Sequence, residues 1–229
     1  MNTLKITSKK KAPGLKAKTV LINAGPTHER IDPVRFIGNY SSGKMGLALA
    51  KEAVSRGAEL ILILGPVNYK PSIDNVSIID VVSASEMATE TVKYFTRADI
   101  TILAAAVADY TPVSRSDKKI KRHKDNLTIE LKPTVDIAAT LGKLKKSNQI
   151  LVGFALETDN ENKNAAAKLK KKNLDLIVLN SLRDKGAGFG HETNLVSIID
   201  RNNNIDKFEL KSKEEVASDI FDKIEDISI

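Results

Sequence analysis

The sequence predicts an α/β protein: a Rossmann-like, mostly parallel, doubly wound sheet with a β-hairpin flap and a C-terminal antiparallel hairpin. Two observations carry this reading. Short apolar runs at residues 19–22, 59–64, 99–106, 149–156 and 174–179 alternate with longer runs whose apolar positions recur at helical spacing, the order of elements in a sheet covered on both faces. Near the C-terminus that order gives way to two strand-like segments, 194–200 and 207–210, around Asn202-Asn203-Asn204, which reads as a hairpin.

Residues 1–17 are polar, lysine-rich and contain Pro13-Gly14. They are expected to form a flexible lead-in or linker, followed by one domain over 18–229. Thr19 to Ile22 is a short strand, stopped by Gly25-Pro26. A helix follows from Met45, its inner face marked by Leu47, Ala48, Ala50, Ala53 and Val54, with Ser41 or Ser42 as N-cap and Gly57 as its stop. The second strand ends at Gly65-Pro66, and a third, 76–82, follows a proline-containing loop and is placed at the sheet edge. Ser83 to Glu86 fits the capping box of a helix that runs to about Arg97.

After the buried strand at 99–106, residues 111–128 form a long excursion holding Lys118-Lys119-Ile120-Lys121-Arg122-His123-Lys124. Mutual repulsion of these charges predicts a segment that orders on an anion, or a solvated loop. A short alternating strand at 127–131 makes the excursion a hairpin laid over the site or across a partner subunit. Thr134 and Asp136 cap a helix reaching Lys146, and a helix over 160–173 puts Lys168 and Lys172 on one face. Gly186 to Gly190 is a flexible loop, and a terminal helix starts at Lys213.

Composition narrows the function classes. The 229 residues include no cysteine, and the three histidines, at 28, 123 and 191, are scattered, so neither a thiolate nor an imidazole metal site is expected. No apolar run has the length of a membrane span and no signal peptide is legible, so the cytoplasm is the expected compartment. A net charge of +7 attracts polyanions, but aromatics are 4% and none sits within a lysine cluster, which argues against a stacking platform for nucleic acid. Small phosphorylated substrates fit the charge equally well.

The first helix begins at Ser41-Ser42-Gly43-Lys44, where free backbone N–H groups and the positive dipole end favour an anion. Gly43 and Gly46 allow close approach of a phosphate or carboxylate; they also serve to let the helix pack on the sheet. Gly38 to Lys44 matches most of a P-loop, but Met45 stands where a hydroxyl should hold magnesium, and a dinucleotide fingerprint is incomplete. The long first loop, 25–42, carries Thr27, His28, Arg30, Arg35 and Asn39, all able to bind an anion or a carboxylate. Asp109 follows a strand's carboxyl end, beside small side chains at 104–106 that leave room for a ligand; capping a turn before Pro112 is its other reading.

The segments Ala24-Gly25-Pro26-Thr27, Ile31-Asp32-Pro33-Val34-Arg35-Phe36-Ile37, Asn39-Tyr40-Ser41-Ser42-Gly43-Lys44-Met45-Gly46 and Ala104-Ala105-Ala106-Val107-Ala108-Asp109-Tyr110 closely resemble bacterial phosphopantothenoylcysteine synthetase. The resemblance runs from about Lys18 to the C-terminus. It implies a ligase that joins 4′-phosphopantothenate to L-cysteine through an acyl-cytidylate made from CTP, with Mg2+ riding on the phosphates and no protein metal ligands. It also implies a homodimer, and fusion to or cooperation with a flavin-dependent decarboxylase.

By the same resemblance, Asn39 holds the acyl nucleotide for attack and Lys119 of the Lys119-Ile120-Lys121 flap reaches the triphosphate or acyl phosphate, which makes these two the catalytic pair. Gly25, Ser41, Ser42, Gly43, Ala105, Ala106, Asp109, Lys119, Asp136, Phe154, Lys168 and Lys172 are implied to line the nucleotide pocket. Arg35, Asn39 and Ala106 are implied to bind the acyl substrate. The family's Asn-Pro-Asp-Ile pattern is replaced here by Thr134-Val135-Asp136-Ile137, so Asp136 alone of the first three carries over. A short-chain dehydrogenase-like oxidoreductase predicts a Tyr-x-x-x-Lys pair that is not found in the right place. A basic nucleic-acid-binding module remains the non-enzymatic competitor.

Overall fold

The computed structural model describes residues 14–68, 76–122, 124–157, 160–181 and 190–228. The expected loop over 186–189, most of the loop before the third strand, and His123 lie outside the described residues. The strands are β1 (Thr19–Ala24), β2 (His28–Arg30), β3 (Phe36–Gly38), β4 (Glu59–Leu64), β5 (Val76–Asp80), β6 (Ile100–Leu103), β7 (Tyr110–Pro112), β8 (Leu131–Pro133), β9 (Ile150–Glu157), β10 (Leu176–Ser181), β11 (Thr193–Asn194), β12 (Val196–Asp200), β13 (Ile205–Lys207) and β14 (Lys211–Ser212). The helices are α1 (Lys44–Ser55), α2 (Ala84–Phe95), α3 (Ile137–Leu144), α4 (Glu161–Lys171) and α5 (Lys213–Asp226).

Eight strands form one sheet in the order β13-β12-β10-β9-β6-β1-β4-β5. Six of them, β10 to β5, are parallel, and β12 and β13 extend the sheet as an antiparallel hairpin. Alternate residues of β1 serve two cores: Val20, Ile22 and Ala24 pack with α1 and α5, whereas Leu21 packs with α2 and α3. The expected doubly wound sheet is therefore present, with α1 and α5 on one face and α2, α3 and α4 on the other. The chain moves outward from β1 through β4 to β5, then returns to place β6 on the opposite side of β1. That reversal opens a crevice at the carboxyl ends of β1 and β6.

Several boundaries differ from expectation for local reasons. The strand expected over 99–106 leaves the ladder after Leu103, because Ala104 to Ala106 bend away while Ala106 N–H still reaches the Gly25 carbonyl at 2.9 Å. The flap's second strand is β8 rather than 127–131, its register set by Thr134, which donates from its N–H to the Asp109 carbonyl and from its hydroxyl to that of Ala108. The closing hairpin returns early, at Ile205, since the Asp200 carboxylate gathers the N–H groups of Asn202 and Asn204 into a tight turn. The long first loop, read as irregular, contains the antiparallel β2/β3 ribbon, on which His28 and Phe36 stack. Leu15, within the expected lead-in over 1–17, is buried in the core, and residues 1–13 of that lead-in lie outside the described residues.

Candidate functional site

Two cavities adjoin at the tips of β6 and β9. The wider, about 580 Å³, lies on the α3/α4 side and is lined by Asn39, Asp109, Asp136, Phe154, Lys168 and Lys172, among others. The narrower, about 140 Å³, lies on the α1 side and is lined by Ser41 to Gly46, Ala104, Asn180, Asn194 and Lys213. Ala105, Ala106, Phe154, Ala155 and Leu156 line both, so one wall of small and apolar side chains separates two lobes of a single cleft.

The backbone of this wall is fixed from β1. Asn23 accepts from the Ala104 N–H through its carbonyl and from the Ala105 N–H through its side-chain oxygen. Asn39 donates from Nδ2 to the Ala106 carbonyl at 2.9 Å. Thr27 accepts the Ala108 N–H through its hydroxyl. These contacts bring Asn39 to the tip of β6 across 67 residues of sequence.

The helix end differs from expectation in its cap. Neither serine caps α1; Gly43 does, with φ 77° and no side-chain hydrogen bond to the helix. A Cβ on Gly43 would lie 2.6 Å from Val67 Cγ1, and one on Gly46 would lie 2.3 Å from Ala24 Cβ. Both glycines are therefore demanded by packing, and the same packing seats the helix end directly over the strand tips. Gly25, with φ 83°, turns the chain out of β1 beneath it.

At the rim of the wide cavity, Asp136 caps α3 by accepting the Ala139 N–H at 3.0 Å and pairs with Lys172 Nζ at 3.0 Å. Burial acts to raise its pKa, but those two partners hold the carboxyl below its ordinary value. Lys168 and Asp109 are exposed and line the same cavity. Among the described residues no three His, Cys, Asp or Glu side chains cluster as a metal cage.

Three predicted residues, Gly25, Lys119 and Arg35, line neither cavity. Lys119 is exposed on the flap and lines neither cavity. Arg35 also lies outside both: its guanidinium pairs with buried Asp32 and donates to the Ile120 carbonyl at 2.8 Å. Asp32 in turn accepts the Ile120 N–H at 3.1 Å. The basic segment, expected to wait unanchored for an anion, is thus latched at its centre to the turn between β2 and β3. The Arg35 guanidinium, with two backbone N–H groups and that of Ile120, holds the Asp32 carboxyl far below the usual carboxylate range. Lys44, Asn180, Asn194 and Lys213 line the narrow cavity and were not singled out from sequence as its lining, because three of them come from elements remote in the chain.

Comparison with known proteins follows the same outline. The family described as "DNA/pantothenate metabolism flavoprotein C-terminal domain" matches residues 15–227. A cysteine/cysteine sulfinic acid decarboxylase of an unknown prokaryotic organism is 64% identical over 92% of this chain and 58% of its own length. The coenzyme A biosynthesis bifunctional protein CoaBC of Bacillus subtilis is 46% identical over 93% of this chain and 52% of its own length, so the chain spans little more than half of either relative. A crystal structure of the C-terminal domain of a CoaBC protein superposes with a TM-score of 0.81 at 39% identity, covering 94% of this chain and 98% of that one.

Proposed function

The chain belongs to the DNA/pantothenate metabolism flavoprotein C-terminal domain family, and from that premise we propose that it is a phosphopantothenate–cysteine ligase of coenzyme A biosynthesis. The observation that carries the proposal is the two-lobed cleft with a shared wall at Ala105, Ala106 and Phe154. A reaction that first joins a nucleotide to an acyl group needs both ligands to meet at one point while each keeps its own lobe.

In the first step a carboxylate oxygen of 4′-phosphopantothenate attacks the α-phosphorus of CTP. The bond from that phosphorus to the bridging oxygen breaks, and pyrophosphate leaves with the electron pair. In the second, the amine of L-cysteine attacks the acyl carbon, the carbon–oxygen bond breaks, CMP leaves and the amine loses a proton. Lys168 and Lys172, four residues apart in sequence, offer positive charge to the triphosphate from the end of α4. Magnesium bound to the phosphates would supply further charge neutralisation beside Lys168 and Lys172. Asn39 spends one of its two amide protons on Ala106, and the other serves the acyl nucleotide. CTP is the proposed nucleotide, with ATP as the alternative to be tested beside it.

Lys119 serves the reaction from the flap, across a homodimer interface. Supporting this, Phe36, Tyr40, Tyr110, Val113, Leu131 and Val135 are exposed on and beside the β2/β3 and β7/β8 ribbons, which pack together; such an apolar face is suited to a second copy. The decarboxylase activity named for the relative at 64% identity need not reside in the matched part, which is 58% of that protein. The reading proposed is that a flavin-dependent decarboxylase, fused or separate, takes the product onward in the cytoplasm. Among the described residues no helix is long and apolar enough to cross a membrane.

The test is to incubate the protein with CTP, 4′-phosphopantothenate and L-cysteine, and with ATP in place of CTP, while following CMP, AMP and pyrophosphate. Nucleoside monophosphate formed in step with the amide supports the proposal. No turnover with either nucleotide, alongside steeply salt-dependent binding to any polyanion, would favour the nucleic-acid module instead.

A further inference from the structure

The Asp32 side chain is fully buried in the turn between β2 and β3. Aspartate is seldom buried to this degree unless it is paired, and the two oxygens of this one serve different partners. Oδ1 accepts the N–H groups of Val34 at 2.8 Å and of Arg35 at 2.9 Å, the ordinary local turn of an aspartate. Oδ2 reaches beyond the turn. It accepts Nε and Nη2 of Arg35 and, at 3.1 Å, the N–H of Ile120, 88 residues further along the chain.

The turn does not need that second oxygen. The Arg35 carbonyl already accepts the N–H groups of Ile31, at 2.9 Å, and Asp32, at 3.3 Å, so residues 31–35 are closed by their own backbone and by Oδ1. What Oδ2 adds is a link between a cation and a remote segment. Arg35 completes it by donating from Nη2 to the Ile120 carbonyl at 2.8 Å, so both backbone groups of Ile120 are held. The Ser116 N–H, on the Ile31 carbonyl at 3.0 Å, ties the flap to the same turn a second time. Ile120 is half-buried, whereas Lys119 and Lys121 on either side of it are exposed, so the anchor grips the apolar residue and leaves the ammonium groups facing water. Arg35 also keeps one edge open: its Nη1 has no hydrogen-bond partner among the described residues, and the side chain is 43% exposed. Because a guanidinium is a rigid planar fork, fixing Nε and Nη2 fixes the direction of the remaining edge.

We propose that Asp32 is a positioning residue of the ligase reaction: its buried carboxylate couples Arg35 to the Lys119-Ile120-Lys121 segment, so that the open guanidinium edge and the flap ammonium groups meet a substrate oxyanion as one preformed unit. The proposal rests on the ligase reading and on the place it gives to Lys119. Long basic side chains on an unanchored loop would have to be ordered during each turnover, and an anchor that orders their backbone beforehand removes part of that cost. Neither Arg35 nor Lys119 lines the cleft of its own chain. The contact between them therefore keeps two otherwise separate cations in a fixed relation wherever the flap delivers them.

The test is a double-mutant cycle. In Asp32→Asn the side-chain oxygen can keep the local turn, but Nδ2 then faces the donors of Arg35 and Ile120, so the coupling breaks while the turn survives. Steady-state CMP formation is measured for wild type, Asp32→Asn, Lys119→Met and the double variant, with thermal midpoints alongside. Each single variant should lose about tenfold to 100-fold in kcat/KM, and the double variant should fall no more than about threefold below the poorer single one, because a misplaced Lys119 and a missing one are equivalent. Asp32 makes no hydrogen bond or ion pair with Lys119 among the described residues, so such non-additivity passes through Ile120. A carboxylate that only steadies the turn would lower the thermal midpoint, and its loss would multiply with that of Lys119→Met. A double variant lower than the expected bound, or either single variant within about threefold of wild type, overturns the proposal. Should Asp32→Asn not fold, Ile120→Pro deletes the N–H that Oδ2 accepts, and it is expected to show the same non-additivity with Lys119→Met; independent losses there are equally fatal. Wild-type protein that forms no nucleoside monophosphate removes the ligase reading and this inference with it, whereas wild-type turnover with independent losses removes the inference alone.

Discussion

Gly46→Ala adds one methyl group at the point where α1 touches the end of β1. The new Cβ would stand 2.3 Å from Ala24 Cβ and 3.1 Å from Ala24 Cα. Carbon atoms rest about 3.5–4.0 Å apart, so the start of the helix must retreat by more than about 1 Å. Ala24 cannot yield in its place: it is fully buried and held in register with Leu64. Overpacking of this kind costs about 1–3 kcal/mol, and the better helix propensity of alanine returns up to about 1 kcal/mol. The net loss of stability is then roughly 0–2 kcal/mol, small enough to leave the protein folded. The turn that moves is the one lining the narrow cavity, and a displacement of about 1 Å at a reacting centre can lower turnover about 100-fold. Urea denaturation and steady-state CMP formation measure the two effects, with Ala53→Gly, at the far end of α1, as a control of comparable stability. Gly46→Ala with kcat/KM within about threefold of wild type, and within that of the control, would refute the claim that the position of this helix end governs the reaction.

Asn39→Asp exchanges an amide donor on the Ala106 carbonyl for a repelling carboxylate; amide formation should fall more than cysteine-independent pyrophosphate release, and equal losses in both half-reactions would contradict the role given to Asn39. For Asp136, whose folded pKa is depressed, the contribution to stability is present above its unfolded pKa of about 3.9 and is lost as pH falls through the lower folded value. Asp136→Asn should therefore be less stable than wild type at neutral pH, with the gap in denaturation midpoint closing below about pH 4. Asp32→Asn removes the charged anchor that accepts from Arg35 and Ile120; trypsin should cut within residues 115–124 at least about tenfold faster, without a matching change in global unfolding. Leu131→Glu places a charge on the exposed apolar face, and sedimentation should then report a monomer where wild type reports a dimer.

Much of the sheet was readable because buried parallel strands and amphipathic helices each leave a period in the sequence. The capping box at Ser83, whose hydroxyl accepts the Glu86 N–H, was legible for the same reason: a short local pattern suffices to specify it. What escaped were features decided by tertiary contact. The β2/β3 ribbon has three residues per strand, too few for alternation to register, and it is pinned from outside by the His28 N–H to the Val82 carbonyl and by Glu29, which accepts the Ala84 N–H. Arg35 was read as an anion or substrate ligand from its place in the long first loop and from the resemblance, and neither shows what it pairs with inside the chain. Within the chain its guanidinium pairs with a carboxylate three residues away that also collects a backbone N–H from the flap, and no local pattern announces a contact across 88 residues.

The misjudged cap of α1 bears on function more than any other difference. Had Ser41 or Ser42 capped the helix, a side-chain oxygen would have occupied one of the N–H groups of its first turn, as Ser83, Asp136 and Ser212 do for α2, α3 and α5. Instead Ser41 accepts only from the Gly43 N–H, at 3.3 Å, and the turn beginning at Lys44 has no side-chain cap. A helix end without its own cap is costly in isolation and is tolerated where something else satisfies it. This one lines the narrow cavity together with Lys213 and Asn180, whose side-chain oxygen has no hydrogen-bond partner among the described residues. Ser41 and Ser42 line that cavity without capping the helix, and the glycine between them and the helix supplies the left-handed turn at its uncapped start.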